Sequence, residues 1–217
     1  MTERSSSTLA PLEIRAGAAR LPGELALPRP CQGIVLFAHG SGSSRSSPRN
    51  VYVARELQRA GIGTLLFDLL TPAEDRAYET RFDIRLLTAR LRAATDHVVR
   101  EPAAAGLPIG YFGASTGAAA ALAAAAAPDA RIAAVVSRGG RPDLAGADLL
   151  GRVRAPTLLL VGGFDDEVIA LNRRALEAMT CAKALHIVPG ATHLFEEPGT
   201  LEQVAAAASA WFSRWLG

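Results

Sequence analysis

Short apolar runs alternate along the chain with longer segments of helical period. The runs are "GIVLFAH" (33–39), "GTLLFDLL" (63–70), "PIGYFGA" (108–114), "IAAVVS" (132–137), "TLLLVGG" (157–163) and "ALHIVPG" (184–190). Each is too short for a helix and uniformly apolar rather than alternating, the pattern of parallel strands covered on both faces.

Between them, helix starts are legible. Ser47 and Pro48 open "VYVARELQRAG", with Gly61 as the C-cap, and Thr80 with Asp83 reads as a capping box ahead of "IRLLTARLRAATDHVV". "GAAAALAAAAAP" after Ser115 has very high helix propensity and stops at Pro128. Thr200 and Gln203 form a second expected capping box before "VAAAASAWFSRWL". Alternation of strand and helix predicts a mainly parallel sheet with helices on both faces, joined by right-handed crossovers. The first 30 residues differ: "PLEIRAGAARLPGELALP" predicts an antiparallel hairpin at one sheet edge. Gly139 to Ala155 has room for a loop and one short helix, and no insertion is large enough for a cap domain.

Length and composition add bounds. At 217 residues, with 49% apolar and 20% charged residues, the chain is expected to fold as a single domain over 1–217. Its net charge of +2 comes from dispersed basic residues, which predicts no nucleic-acid partner. Cys31 and Cys181 lack the spacing of a metal cluster, and no metal or organic cofactor is implied. No run approaches a membrane span and the start lacks a secretory apolar stretch, so a cytoplasmic protein without a membrane partner is expected. The apolar last helix serves either core or interface, so a homodimer stays open.

In such sheets ligands gather beyond the carboxyl ends of the strands. Ser115, in "GASTG", sits between a strand and a helix, where a sharp turn lifts its hydroxyl above the sheet. A serine nucleophile needs a base. His97 falls in a predicted helix, His186 in a strand, and His39 too early in chain order; His193, on the loop after the last strand, remains. Asp165, just beyond "TLLLVGG", follows the serine and precedes the histidine, and is preferred to Asp166, which reads with Glu167 as a first-turn acid. Asp68 reads as a structural acid. Oxyanion donors are expected from the backbone N–H of Thr116 and from the "HGSG" loop, at Ser41 first and Gly42 second. Arg138 or Arg141, in "SRGGRPDLAG", could face the pocket and bind a carboxylate or phosphate; pairing with Asp143 is the alternative.

"HGSG", "GASTG", "GGFDDEV" and "GATHLF", in this order at strand ends, resemble the α/β-hydrolase superfamily, and the short capless chain with its hairpin is most similar to the dienelactone-hydrolase-like branch. The resemblance covers about residues 12–216. It implies an α/β-hydrolase fold, with Ser115 as nucleophile, Asp165 as acid, His193 as base, and Ser41 and Thr116 as oxyanion donors. One departure stands out: dienelactone hydrolases proper carry cysteine at the nucleophile, where this chain has Ser115. The expected activity is hydrolysis of small carboxylic esters or thioesters, with a small-molecule ester as substrate. An acyltransferase or perhydrolase with the same triad, or a non-catalytic ligand-binding protein of this fold, are the alternatives.

Overall fold

A computed structural model describes residues 8–217. Its eight strands form one sheet in the order β1-β2-β4-β3-β5-β6-β7-β8. β1 (Thr8–Ala16) and β2 (Ala19–Leu27) are the expected antiparallel hairpin, turning at Gly17 with φ 64°. β2 then pairs antiparallel with β4 (Gly63–Phe67). From β4 onward all pairs are parallel, through β3 (Ile34–Ala38), β5 (Ile109–Ala114), β6 (Ile132–Arg138), β7 (Thr157–Gly162) and β8 (Lys183–Val188).

The apolar runs become strands because helices cover both faces. On one side lie α2 (Ile84–Arg100), α3 (Thr116–Ala125), the one-turn α4 (Ala147–Leu150) and α5 (Asp166–Ala178), packed through Leu87, Leu91, Ala119, Leu122, Leu150 and Ala175. On the other lie α1 (Pro48–Arg59) and α6 (Thr200–Leu216), packed through Val53, Leu57, Val204 and Phe212. β3, β4, β5 and β7 are buried at every position, as uniformly apolar runs require. The alanine-rich α3 is buried at nine of its ten positions, which suits a helix apolar all round. Among the described residues, no helix is long and apolar enough to cross a membrane.

Three expectations are corrected. β8 is an edge strand and only partly covered: Lys183 and His186 are exposed, and among the described residues no strand lies beyond it. Asp83, not Thr80, caps α2, accepting from the Leu86 N–H at 3.0 Å, while Thr80 lies in a 3₁₀ turn over Glu79–Phe82. Thr200 is the first helical residue of α6 rather than its cap; its hydroxyl donates to the Glu197 carbonyl at 2.7 Å, and Gln203 donates to the Gly199 carbonyl at 3.1 Å. Local spacing suggests a cap, but the path of the preceding loop decides which residue occupies the position.

Strand order reverses at β3, which has β4 on one side and β5 on the other, and this switch point opens a crevice at the strand ends. There β3 and β5 pair with Ala38 opposite Gly113, so the chain leaving each strand arrives side by side.

Candidate active site

Ser115 joins β5 to α3 with φ 50° and ψ −119°, a conformation that residues bearing a Cβ rarely adopt. The surroundings enforce it. The Ser115 N–H donates to the Arg138 carbonyl at 3.2 Å, and its own carbonyl accepts from the N–H groups of Ala118 at 3.1 Å and Arg141 at 3.2 Å. The flanking glycines are required for close approach: a Cβ at Gly113 would stand 2.4 Å from the Ala118 Cα, and one at Gly117 only 2.0 Å from the Ala38 carbonyl oxygen. Ser115 is partly exposed and sits at the amino end of the α3 dipole.

Asp165 leaves β7 after a two-residue turn and serves as the first flanking residue of α5. Its Oδ2 accepts from His193 Nδ1 at 2.6 Å, with the aspartate 16% and the histidine 38% exposed. That bond places the proton on Nδ1 and leaves Nε2 as an acceptor. Asp166 and Glu167 are exposed in the first turn of α5, as expected of acids at a helix start.

The loop bearing His193 is held firmly. Phe195, with φ 56°, is buried, and Glu197 accepts from Thr192 twice, from its N–H at 3.1 Å and its hydroxyl at 2.6 Å, bonds that lower the carboxyl pKa. Gly139 brings the two halves of the site together. A Cβ there would stand 3.5 Å from His193 Cε1, while its neighbours Arg138 and Arg141 bind the Ser115 backbone. Thus Ser115, Asp165 and His193 gather around one tight loop.

The first loop after β3 completes the crevice. A Cβ at Gly40 would lie 3.0 Å from that of Ser115. The N–H groups of Ser41 and Thr116 have no partner among the described residues, and Gly42 turns the loop at φ 67°. Together with Arg81 they line a slot of about 10 Å³, room for one water. His39, which carries no catalytic assignment, has a structural one here. Its buried ring donates from Nδ1 to the Gly40 carbonyl at 3.0 Å and accepts on Nε2 from the Leu69 N–H at 3.0 Å. Only the neutral ring makes both bonds, and burial lowers its pKa. Asp68 is likewise structural, accepting from the Arg45 N–H at 2.8 Å and from its guanidinium.

The two arginines diverge. Arg141 makes a two-pronged pair with Asp143, at 2.9 and 2.7 Å, so its fork is already engaged. Arg138 is buried, 8% exposed. One contributor had no sequence signal: Asn172, fully buried on α5, donates to the Gly140 carbonyl at 2.9 Å and to that of Val168 at 2.8 Å. Asparagine inside an amphipathic helix reads as a surface residue until the fold packs a loop carbonyl against it. Among the described residues, no group of three or more His, Cys, Asp or Glu side chains is arranged to hold a metal ion.

Comparison with known proteins bears on the fold and the family. The crystal structure of a dienelactone hydrolase from Anabaena variabilis is 53% identical and superposes with a TM-score of 0.94, covering 97% of this chain and 99% of that one. Est1E from Butyrivibrio proteoclasticus, 17% identical with a TM-score of 0.81 over 95% of this chain and 98% of its own, shares the fold. Two Mycobacterium tuberculosis proteins provisionally named phosphoribosyl transferases are 59% identical over 201 residues, 93% of this chain, which spans only 45% of their length. The model of the dienelactone hydrolase family matches residues 47–216, and the chain belongs to that family.

Proposed function

We propose that this chain is a serine hydrolase that cleaves small carboxylic esters or thioesters through an acyl-enzyme on Ser115. The observation that carries the proposal is the 2.6 Å bond from His193 Nδ1 to Asp165, with the imidazole lying against the same loop that fixes the Ser115 turn. In this reading His193 Nε2 takes the hydroxyl proton as Ser115 Oγ attacks the ester carbonyl, and Asp165 stabilises the imidazolium. The N–H groups of Thr116 and Ser41, or Gly42 as second choice, receive the oxyanion; one such donor contributes about 10²- to 10³-fold in rate. The imidazolium then protonates the departing alkoxide or thiolate, and a water activated by His193 hydrolyses the acyl-enzyme.

The transferase name of the Mycobacterium tuberculosis relatives belongs to proteins more than twice as long as the shared segment, and the proposal for this chain rests on its own site. Turnover of a short-chain nitrophenyl ester and covalent labelling of Ser115 by a fluorophosphonate test it directly. Absence of both turnover and labelling overturns the reading.

A further inference from the structure

The last residue of β6, Arg138, is a buried cation with no acid paired to it among the described residues. Along this strand Val135 packs with α2 and α3, whereas Ala134 and Val136 pack with α1 and α6, so strand alternation turns Arg138 toward α1 and α6. Its Nε and Nη1 are sealed from solvent and have no hydrogen-bond partner among the described residues. The charge that acts on it is a second cation, Arg49, in the first turn of α1; this repulsion and, above all, burial lower the guanidinium pKa to about 10. A buried charge left unpaired is among the costliest arrangements in a protein interior.

The neighbouring groups are donors too. Arg49 gives Nη1 to Glu196 at 2.8 Å, but its Nε is buried and unpartnered. Asn50, 2% exposed, has no partner for its side-chain oxygen, and an amide turned over would present its N–H₂ instead. The twelve-residue α1 has no acid in its first turn and no side-chain cap from Ser47, so the positive end of its dipole is uncompensated.

We propose that Arg138, Arg49, Asn50 and the amino terminus of α1 form a binding site for a small oxyanion, a carboxylate or phosphate group. The planar fork of Arg138 matches such a group, and its arrival neutralises Arg138 and gives the free Arg49 Nε an acceptor. The site stands independently of the hydrolase reading, since it involves neither the Ser115 hydroxyl nor the His193 ring. The oxyanion has two possible sources, a free ion or the anionic part of a substrate reaching down from the adjacent Ser115 turn.

The test is titration of the full chain with inorganic phosphate at constant ionic strength, against chloride, read by calorimetry and by Tm. Saturable binding and a rise in Tm are expected in the native chain. Arg138→Met abolishes both, and Arg49→Gln weakens the affinity about tenfold, the worth of one charged hydrogen bond. Glu196→Gln, which frees Arg49, tightens it. A native chain that responds no more to phosphate than to chloride, as when only an ordered water fills the site, overturns the proposal. So does an undiminished response in Arg138→Met or, should that variant fail to fold, in Arg49→Gln. Inhibition of ester hydrolysis by phosphate assigns the source: competitive inhibition supports a site for the substrate's own anionic group, and non-competitive inhibition supports a site for a free ion.

Discussion

Asn172, without exposed surface, donates from Nδ2 to the Gly140 carbonyl at 2.9 Å and so braces from below the loop whose Arg138 and Arg141 bind the Ser115 backbone. Replacing it with alanine removes the brace and leaves a buried carbonyl unpaired. Asn172→Ala is expected to lose about 1–3 kcal/mol of stability in urea unfolding. It should also lower kcat by about 10- to 100-fold through misplacement of the Ser115 turn, with little change in KM. A loss of stability with kcat intact would reduce Asn172 to a purely structural role.

Asp165 and Asp166 are adjacent carboxylates with different surroundings, one bonded to His193 and the other exposed at the start of α5. Asp165→Asn is expected to lower kcat on a nitrophenyl ester by about 10⁴-fold, because the amide favours the wrong imidazole tautomer. Asp166→Asn should stay within a few tenths of a kcal/mol of the native chain in both activity and stability, as an exposed first-turn acid does. The larger loss appearing at Asp166 would overturn the assignment.

Gly117 and Gly106 separate steric need from conformational need. A Cβ at Gly117 would meet the Ala38 carbonyl oxygen at 2.0 Å and that of His39 at 2.5 Å, so Gly117→Ala should destabilise by about 3 kcal/mol or more. Gly106 has φ 77° with open space around it, and Gly106→Ala should cost only about 1–2 kcal/mol, the strain of the left-handed conformation. Chemical denaturation of the two variants orders them.

His39 is held neutral by burial, and its folded pKa lies below the ordinary 6.5. The folded chain therefore binds fewer protons than the unfolded one, and stability falls as pH falls. The contribution of His39 is complete above pH 6.5 and is lost progressively as the pH drops through that value toward the lowered folded pKa. Urea midpoints measured between pH 8 and about 5 should decline, with a shallower decline in His39→Gln. Equal slopes would remove His39 as the cause.

Arg141 gives both prongs of its guanidinium to Asp143. Arg141→Ala should accordingly change the preference between anionic and neutral esters by no more than about 1 kcal/mol, the scale of a surface pair. A selective loss on anionic esters would show that the fork leaves Asp143 to meet substrate.

Much of the fold is legible in the chain because burial on both faces writes itself as continuous apolar runs. The runs ending at His39, Ala114 and Gly163 mark β3, β5 and β7 to within a residue or two, and the glycines around Ser115 announce a turn too tight for side chains. Edges are less legible. "ALHIVPG" looks as apolar as the central runs, yet β8 lies at the sheet edge and is only partly covered, which depends on what neighbours it in space. The caps at Asp83 and Gly199 escaped local spacing for a related reason, since the entering loop sets the geometry.

The alternation of strand and helix, the order of a serine, an acid and a histidine at later strand ends, and the small residues that let α3 close on the sheet are all written locally in the chain. These depend on composition and period, which neighbours in the chain already express. Packing in three dimensions sets the rest: Gly139 brings His193 and the Ser115 turn together, Asn172 braces that loop, and Arg138 turns to the α1 and α6 side, where Arg49 acts on it. Each is a meeting of residues far apart in the chain, and side-chain direction at such a meeting is set by packing, which no local pattern encodes.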